Sequence, residues 1–282
     1  MKMERSWVLH KGDTYFAGIT KCSRPNLLLN FGCWSVIACL FIFLSRFFFR
    51  NSESFIKPHG FLKAMEKIEV PIKTAWTGHI TLIRHGETPS NRENRFLGIT
   101  NDSLSPKGIK QAETTREVLQ NLDLPEPPKF DAIFSSPLNR CLETAEIINE
   151  AFNLPLYPTE LLKERNYGIF EGKTHKEVEE NLPELFKKYS ENKPFVLLPE
   201  GESALHVESR VYEFLTQELV EQHSDVNDIL IVSHLNPIRA TLRFFGFADW
   251  EIYFEKISNT AVIRLAISQT EIKKIYECGL SL

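Results

Sequence analysis

Charged and imidazole side chains follow three apolar stretches of the sequence, in each case where the stretch ends. Arg84 and His85 come directly after "ITLI". Arg140 lies four residues after "FSS", and His234 directly follows "ILIVS"; Glu164 lies between these two positions. Imidazole can act as a nucleophile or base near neutral pH, and guanidinium groups pair bidentately with phosphate oxygens without losing their charge. This set of residues therefore predicts chemistry on a phosphate group.

The elements that carry these residues form an alternating pattern of strands and helices. Such a pattern indicates a mainly parallel sheet covered by helices on both faces, and ligands gather at the carboxyl ends of its strands. We therefore expect one three-layer α/β/α domain over residues 66–282, with the polar strand ends at one crevice. The predicted strands are 80–84, 130–136, 228–233 and a final hairpin of 261–267 and 271–277; the predicted helices are 105–122, 137–152, one starting at Thr174, 203–222 and one following Pro237.

Six ordered blocks of the sequence resemble the histidine phosphatase superfamily, the phosphoglycerate-mutase-like clan. They are "LIRHGETPSN", "RFLGITNDSLSPKG", "SSPLNRCLETAE", "ERNYGIFEG", "LPEGES" and "VSHLNPIR", and they cover most of residues 79–240. The resemblance implies a phosphoglycerate-mutase-like fold. It also implies a phosphoric monoester hydrolase of the histidine acid phosphatase type, which works through a covalent phosphohistidine.

The resemblance implies a role for each matching residue. Neutral His85 would attack phosphorus, with its other ring nitrogen hydrogen-bonded to the backbone to fix the tautomer. Glu164 would be the general acid that protonates the leaving alcohol and then deprotonates water. The residues implied to hold the phosphate oxygens are Arg84, Asn91, Arg140 and His234, the last counted with His85 and Glu164 as catalytic. No metal ion or cofactor is expected, because the arginines supply the positive charge.

Some nearby residues depart from this pattern or have no assigned role in it. Leu235 stands where the family usually has glycine after the second histidine. We expect the N–H of Leu235 to line the phosphate site and its side chain to enter the pocket wall. Glu202 either contacts substrate or starts a helix, and Cys141 is predicted to be a small packed residue. The histidines expected to be surface or core residues are His79, His175, His206 and His223.

Three functions are compatible with the same residues. Glu164 and Glu202 are only 38 positions apart. In mutases of this family, the resemblance implies a long insertion there, so the short spacing favours a phosphatase. The block "ERNYGIFEGK" resembles sugar-bisphosphatase-like and broad-specificity members, so we expect a small phosphorylated metabolite such as a sugar phosphate. The alternatives are a 2,3-bisphosphoglycerate-dependent phosphoglycerate mutase, which Asn236 and Arg239 favour, and an inactive membrane-tethered phosphate-binding protein.

The first 65 residues differ in composition from the remainder. They hold nine Lys and Arg against three Asp and Glu, whereas residues 66–282 hold 24 against 34. The acidic region has no basic stripe, which argues against nucleic-acid binding. Leu27–Ser45 is a 19-residue uncharged stretch and predicts a transmembrane anchor for a cytoplasmic catalytic domain. The alternative is that the protein starts at Met65. The five cysteines have no disulfide or metal spacing.

Overall fold

A six-stranded mixed sheet forms the centre of the computed structural model, which describes residues 76–125 and 127–280. The strands are β1 Gly78–Arg84, β2 Ala132–Ser135, β3 Leu156–Pro158, β4 Asp228–Ser233, β5 Ile257–Ile267 and β6 Ile272–Leu280. Their order in the sheet is β3-β2-β4-β1-β5-β6. The first four strands are parallel to one another, whereas β5 is antiparallel to β1 and β6 to β5. This confirms the predicted mainly parallel sheet and the final hairpin.

Seven α-helices and several short turns of other helix types connect the strands in the described part of the chain. The α-helices are α1 Pro89–Arg92, α2 Pro106–Gln120, α3 Asn139–Asn149, α4 His175–Asn181, α5 Pro183–Glu191, α6 Ala204–Glu213 and α7 Leu235–Phe244. Single 3₁₀ turns occur at Glu160–Leu162, Gly168–Phe170 and Trp250–Tyr253, and a π-helix at Phe214–Gln222 continues α6.

Helix starts follow the local sequence, with two corrections. Ser105 accepts a hydrogen bond from Gly108 N at 3.1 Å with proline following, and Thr174 forms a capping box with Glu177, both as expected. The third helix begins at Asn139, two residues later than predicted. The last helix begins two residues before Pro237, because the N–H that proline lacks is one that the first helical turn leaves unpaired in any case.

Successive residues of the buried strands face opposite sides of the sheet. Ile229 and Ile231 of β4 belong to an apolar cluster that contains residues of α6 and α7. Leu230 and Val232 belong to a second cluster with residues of α2 and α3. Helices therefore cover both faces, and the predicted three-layer α/β/α architecture is confirmed.

Three predictions concern residues outside the described part of the chain. These are the transmembrane segment 27–45, the alternative start at Met65 and the domain boundary between residues 65 and 66. Among the residues that the structure describes, none of the helices has the length and apolar character needed to cross a membrane.

Candidate active site

The ends of β1 and β4 bring the two histidines of the predicted site together. The two strands are adjacent and parallel, with Arg84 in register with Ser233, so the residues that follow each strand lie side by side. The imidazole centroids of His85 and His234 are 5.1 Å apart. The predicted convergence of strand ends therefore occurs in the fold.

His85 is held with one ring nitrogen available for reaction. It is 3% exposed, its backbone N donates to Ser233 O at 3.0 Å, and its Nδ1 lies 2.7 Å from Gly86 O. A carbonyl oxygen can only accept, so Nδ1 carries the proton and Nε2 keeps its lone pair. Burial, reinforced by Arg140 and then Arg84, holds the pKa of His85 well below its ordinary value. The imidazole is therefore neutral at physiological pH.

Two buried arginines place positive charge beside this imidazole. Arg84 Nη1 donates to Ile257 O, while its buried Nε has no hydrogen-bond partner in the described chain. Burial lowers the pKa of Arg84 to about 10, which still leaves it protonated at neutral pH. Arg140 is fully buried and donates from Nη1 to Thr100 O at 2.8 Å and from Nη2 to Gly98 O at 2.6 Å.

Neither Arg84 nor Arg140 forms an ion pair with a carboxylate among the described residues. A buried charge without a counter-charge is costly, so such a pair is expected where an anionic ligand completes the site. The two guanidinium groups therefore provide an environment suited to a phosphate dianion.

His234 has the opposite tautomer and different neighbours. Arg140 Nε donates to its Nδ1 at 3.2 Å, so the proton lies on Nε2, which is 2.7 Å from Ser136 Oγ. Cys141 Sγ is 3.3 Å from the same Nε2, and burial raises the pKa of this thiol, which agrees with a packed, unreactive residue. His234 thus holds Arg140 in place, while its direct contact with phosphate stays a prediction.

The carboxylate of Glu164 is fixed through one of its two oxygens. Its Oε1 accepts hydrogen bonds from Arg165 N at 2.8 Å, Asn236 Nδ2 at 2.9 Å and Asn236 N at 3.3 Å. Asn236 Nδ2 also lies 3.0 Å from Tyr167 Oη. Within the described residues, all hydrogen bonds of this carboxylate go to Oε1, so Oε2 is the oxygen available to hold a transferable proton.

The remaining two predicted residues occupy helix starts. Asn91 is the third residue of α1, and its Oδ1 accepts from Thr88 N at 3.3 Å in a capping box. Leu235 is the first residue of α7, so its N–H is one that the helix itself does not use. The Leu235 side chain, which is larger than the glycine usual in the family, packs against the apolar cluster under α6 and α7.

Comparison with known proteins agrees with this geometry. The family model of the histidine phosphatase superfamily (branch 1) matches residues 80–275. The chain belongs to this superfamily.

Individual members of the superfamily support the assignment. Phosphoserine phosphatase 1 of Hydrogenobacter thermophilus is 35% identical over 161 residues, which is 57% of this chain and 72% of that protein. A 2,3-bisphosphoglycerate-dependent phosphoglycerate mutase of Cytophaga hutchinsonii is 29% identical, over 70% of this chain and 86% of that one. The structure of Bacillus stearothermophilus YhfR superposes with a TM-score of 0.62 at 28% identity, covering 72% and 98% of the two chains.

Two polar residues near the candidate site have structural partners. Arg165 is 1% exposed and donates to three backbone oxygens, those of Glu202, Lys193 and Val196, at 2.6–2.9 Å. The Glu202 carboxylate accepts from Asn166 N at 2.9 Å. Glu202 therefore fastens a loop, which favours its structural assignment over substrate contact.

Sequence reasoning assigned no role in a phosphatase mechanism to three residues that contact the candidate site, which are Ser136, Asn236 and Asn259. Ser136 and Asn236 lie inside the "SSPLNR" and "VSHLNPIR" blocks, and each contacts a catalytic candidate. Asn259 lies outside all six blocks, and no sequence signal singled it out. In the part of the chain that the structure describes, no group of three or more His, Cys, Asp or Glu side chains could hold a metal ion.

Proposed function

We propose that this protein is a metal-independent phosphomonoester hydrolase that transfers the phosphoryl group through a phosphohistidine at His85. The observation that carries the proposal is the hydrogen bond from His85 Nδ1 to Gly86 O, which leaves Nε2 as the nucleophile. Beside it are Arg84 and Arg140, neither of which forms an ion pair within the described chain. The proposal extends to a phosphoric monoester hydrolase of the histidine acid phosphatase type, and this hydrogen bond of His85 supports it.

In the first step, the lone pair of His85 Nε2 attacks phosphorus and the bond from phosphorus to the leaving oxygen breaks. Glu164, protonated on Oε2, gives its proton to that oxygen, and the alcohol leaves. Arg84 and Arg140 hold the other phosphate oxygens, where negative charge lies in the transition state. The side-chain amide of Asn91 and the backbone N–H of Leu235 donate further hydrogen bonds to these oxygens. The Gly86 carbonyl stabilises the Nδ1–H of the phosphorylated, cationic ring.

In the second step, Glu164 accepts a proton from water as the water oxygen attacks phosphorus. The bond from phosphorus to His85 Nε2 breaks, and orthophosphate leaves. His85 returns to its neutral tautomer with the proton on Nδ1, and Glu164 is again protonated for the next cycle. Splitting the displacement into two steps lets one carboxyl group act first as acid and then as base.

The proposed substrate is a small phosphorylated metabolite such as a sugar phosphate. The short connection between Glu164 and Glu202 supports a phosphatase, because the family resemblance implies a long insertion at this place in mutases. Arg165 holds this connection through three backbone oxygens. The similarity to a phosphoserine phosphatase adds phosphorylated amino acids to the candidates that deserve assay.

A panel of phosphomonoesters, assayed in the presence of a chelator, tests this proposal. We expect hydrolysis that vanadate inhibits, and an acid-labile phosphoprotein after rapid quenching. His85→Asn keeps an amide nitrogen at the position of Nδ1 and is expected to abolish both signals. His206→Asn changes an exposed histidine and should retain both. A wild-type protein that hydrolyses no member of the panel and forms no phosphohistidine would refute the proposal.

A phosphoglycerate mutase is the second candidate, favoured by the identity to the Cytophaga hutchinsonii enzyme. Asn236 and Arg239, which suggested it, have internal partners here: Asn236 contacts Glu164, and Arg239 Nη2 donates to Glu255 O. Incubation with 3-phosphoglycerate and 2,3-bisphosphoglycerate separates the two functions. Formation of 2-phosphoglycerate faster than release of orthophosphate would favour the mutase. Binding of vanadate without turnover of either kind would favour the inactive phosphate-binding protein.

A further inference from the structure

Residues 255–260, which include the start of β5, are attached to the candidate site by side chains and backbone. Arg239 Nη2 donates to Glu255 O and Arg84 Nη1 to Ile257 O. Two residues further, Asn259 Nδ2 donates to His85 O at 3.0 Å, and Thr260 N lies 3.4 Å from the same oxygen. The backbone of the proposed nucleophile is therefore held by residues 259 and 260 of the neighbouring antiparallel strand.

An irregularity in β5 points Asn259 at the site. The pairing of β5 with β6 shifts register between Ile257 and Val262. Within this shift, Thr260 has φ +55°, a conformation that a β-branched residue rarely adopts. Bulges near active sites commonly redirect a side chain, and backbone strain persists where the surrounding contacts hold it. Thr260 Oγ1 donates to Asn259 O at 2.7 Å, which helps to keep this conformation.

The side-chain amide of Asn259 also sets the orientation of a second amide. Its Nδ2 lies 3.2 Å from Asn91 Oδ1, in addition to the bond to His85 O. Asn91 Oδ1 thus accepts from Asn259 and from Thr88 N. Rotating the Asn91 amide by 180° would place its NH₂ group against these two donors. The two donors therefore fix the Asn91 amide with Oδ1 toward them, and the two N–H bonds of Asn91 Nδ2 remain available for an oxyanion.

We propose that Asn259 is a positioning residue of the phosphate site, which acts through Asn91 and the His85 backbone. The inference rests on the proposed function, because Asn91 matters only if the site receives an oxyanion. In this arrangement, one amide provides two donors: one fixes the peptide that follows β1, and the other directs the Asn91 donors toward the phosphate.

The test compares Asn259→Ala, Asn259→Asp, Asn91→Ala and the double variant Asn91→Ala/Asn259→Ala. We expect Asn259→Ala to lower kcat/KM for p-nitrophenyl phosphate and the affinity for vanadate by about tenfold, because Asn91, no longer oriented, loses one hydrogen bond to the charged oxyanion. Asn259→Asp has the same shape but sets a carboxylate against two carbonyl oxygens, so it should be at least as impaired. In the Asn91→Ala background, replacing Asn259 should cost less than threefold further.

Asn149→Ala is the matched control. Asn149 also makes two hydrogen bonds with its side chain, to Leu154 N and O, near the end of α3. It should lower stability yet leave kcat/KM and vanadate affinity within twofold of wild type. Unfolding by urea, measured for all variants, shows whether losses of activity follow losses of stability.

Three results would overturn the inference. They are an Asn259→Asp protein with wild-type kinetics, an Asn259→Ala protein within twofold of wild type, and effects of Asn91 and Asn259 that multiply fully in the double variant. Failure of the proposed function looks different, because the wild type itself would then turn over no substrate. In that case the vanadate affinities of the same variants still decide the role of Asn259, and a wild type that binds no vanadate overturns it.

Discussion

Protonation of the buried histidines should make the folded protein unusually sensitive to mild acid. His85 and His234 are 3% and 0% exposed, and burial lowers the pKa of each well below its ordinary value of about 6.5. The unfolded chain therefore takes up protons below pH 6.5 while the folded chain does not. Stability is complete above pH 6.5 and is lost as the pH falls, because the unfolded state binds more protons.

For a ring that stays neutral in the fold over this pH range, the magnitude follows from the unfolded pKa. At pH 5.5, a histidine with an unfolded pKa of about 6.5 that stays neutral in the fold favours unfolding by about 1.4 kcal/mol, against less than about 0.1 kcal/mol at pH 7.5. Replacing His85 by Asn removes one such group. The loss of unfolding free energy between pH 7.5 and 5.5 should therefore be about 1.3 kcal/mol smaller in His85→Asn than in the wild type.

Urea unfolding followed by tryptophan fluorescence can measure this difference, since Trp76 is 5% exposed in the folded state. Subtracting the change in unfolding free energy of the variant from that of the wild type cancels the contributions of the titrating groups that the two proteins share. His234→Asn should give a similar reduction, and the double variant about twice as much. If wild type and His85→Asn lose stability equally between the two pH values, His85 is not held neutral and the tautomer argument fails.

Three further substitutions test separate parts of the structure. Glu164→Gln should lower kcat for an alkyl phosphate by about 10²–10⁴-fold, but lower the phosphorylation rate with p-nitrophenyl phosphate much less, since p-nitrophenolate leaves without a proton. Arg165→Met leaves three backbone oxygens without their donor and should lower the free energy of unfolding by more than about 3 kcal/mol. Asp228→Ala breaks a buried bidentate pair with Arg264 (2.7 and 2.8 Å) and should cost about 3–5 kcal/mol in urea unfolding.

Each of these substitutions has a contrary result. Equal losses of phosphorylation rate on alkyl and p-nitrophenyl phosphates would exclude Glu164 as the acid for the leaving group. Stability of Arg165→Met within about 1 kcal/mol of wild type would show that the loop oxygens find other donors. For Asp228→Ala, a cost below about 1 kcal/mol would show that water reaches Arg264 and solvates it.

The sequence predicted β1, β2 and β4 and their ends well, for a physical reason, whereas the short edge strand β3 was not predicted. Buried strands such as β4 are continuous apolar runs, and the polar residue that ends the run is visible in one dimension. Helix starts were predicted where a side chain caps the backbone, as at Ser105 and Thr174. The change from α-helix to π-helix at Phe214 was not, because both pack similar apolar residues toward the core.

The candidate site was predictable only where its residues lie within the six blocks that resemble the superfamily. Asn236 lies within such a block and holds the Glu164 carboxylate through two hydrogen bonds. Those bonds depend on where α7 begins, which the sequence did not predict correctly. Asn259 depends on a register shift in an antiparallel strand and on the positive φ of Thr260, and neither leaves a residue pattern in the sequence. Contacts made by an added strand at the edge of the parallel sheet thus escape motif reasoning.

The assignment of the nucleophile, finally, follows from what each imidazole faces. Both histidines are buried, neutral and adjacent, so burial and pKa do not distinguish them. His85 faces a carbonyl oxygen at Nδ1, which forces the lone pair onto Nε2. At His234, the lone pair of Nδ1 accepts a hydrogen bond from the guanidinium of Arg140. Of these two imidazoles in the described chain, only that of His85 keeps a ring nitrogen without a hydrogen bond, which supports the proposal that His85 is the nucleophile; His234 could form a phosphohistidine at Nδ1 only by releasing Arg140.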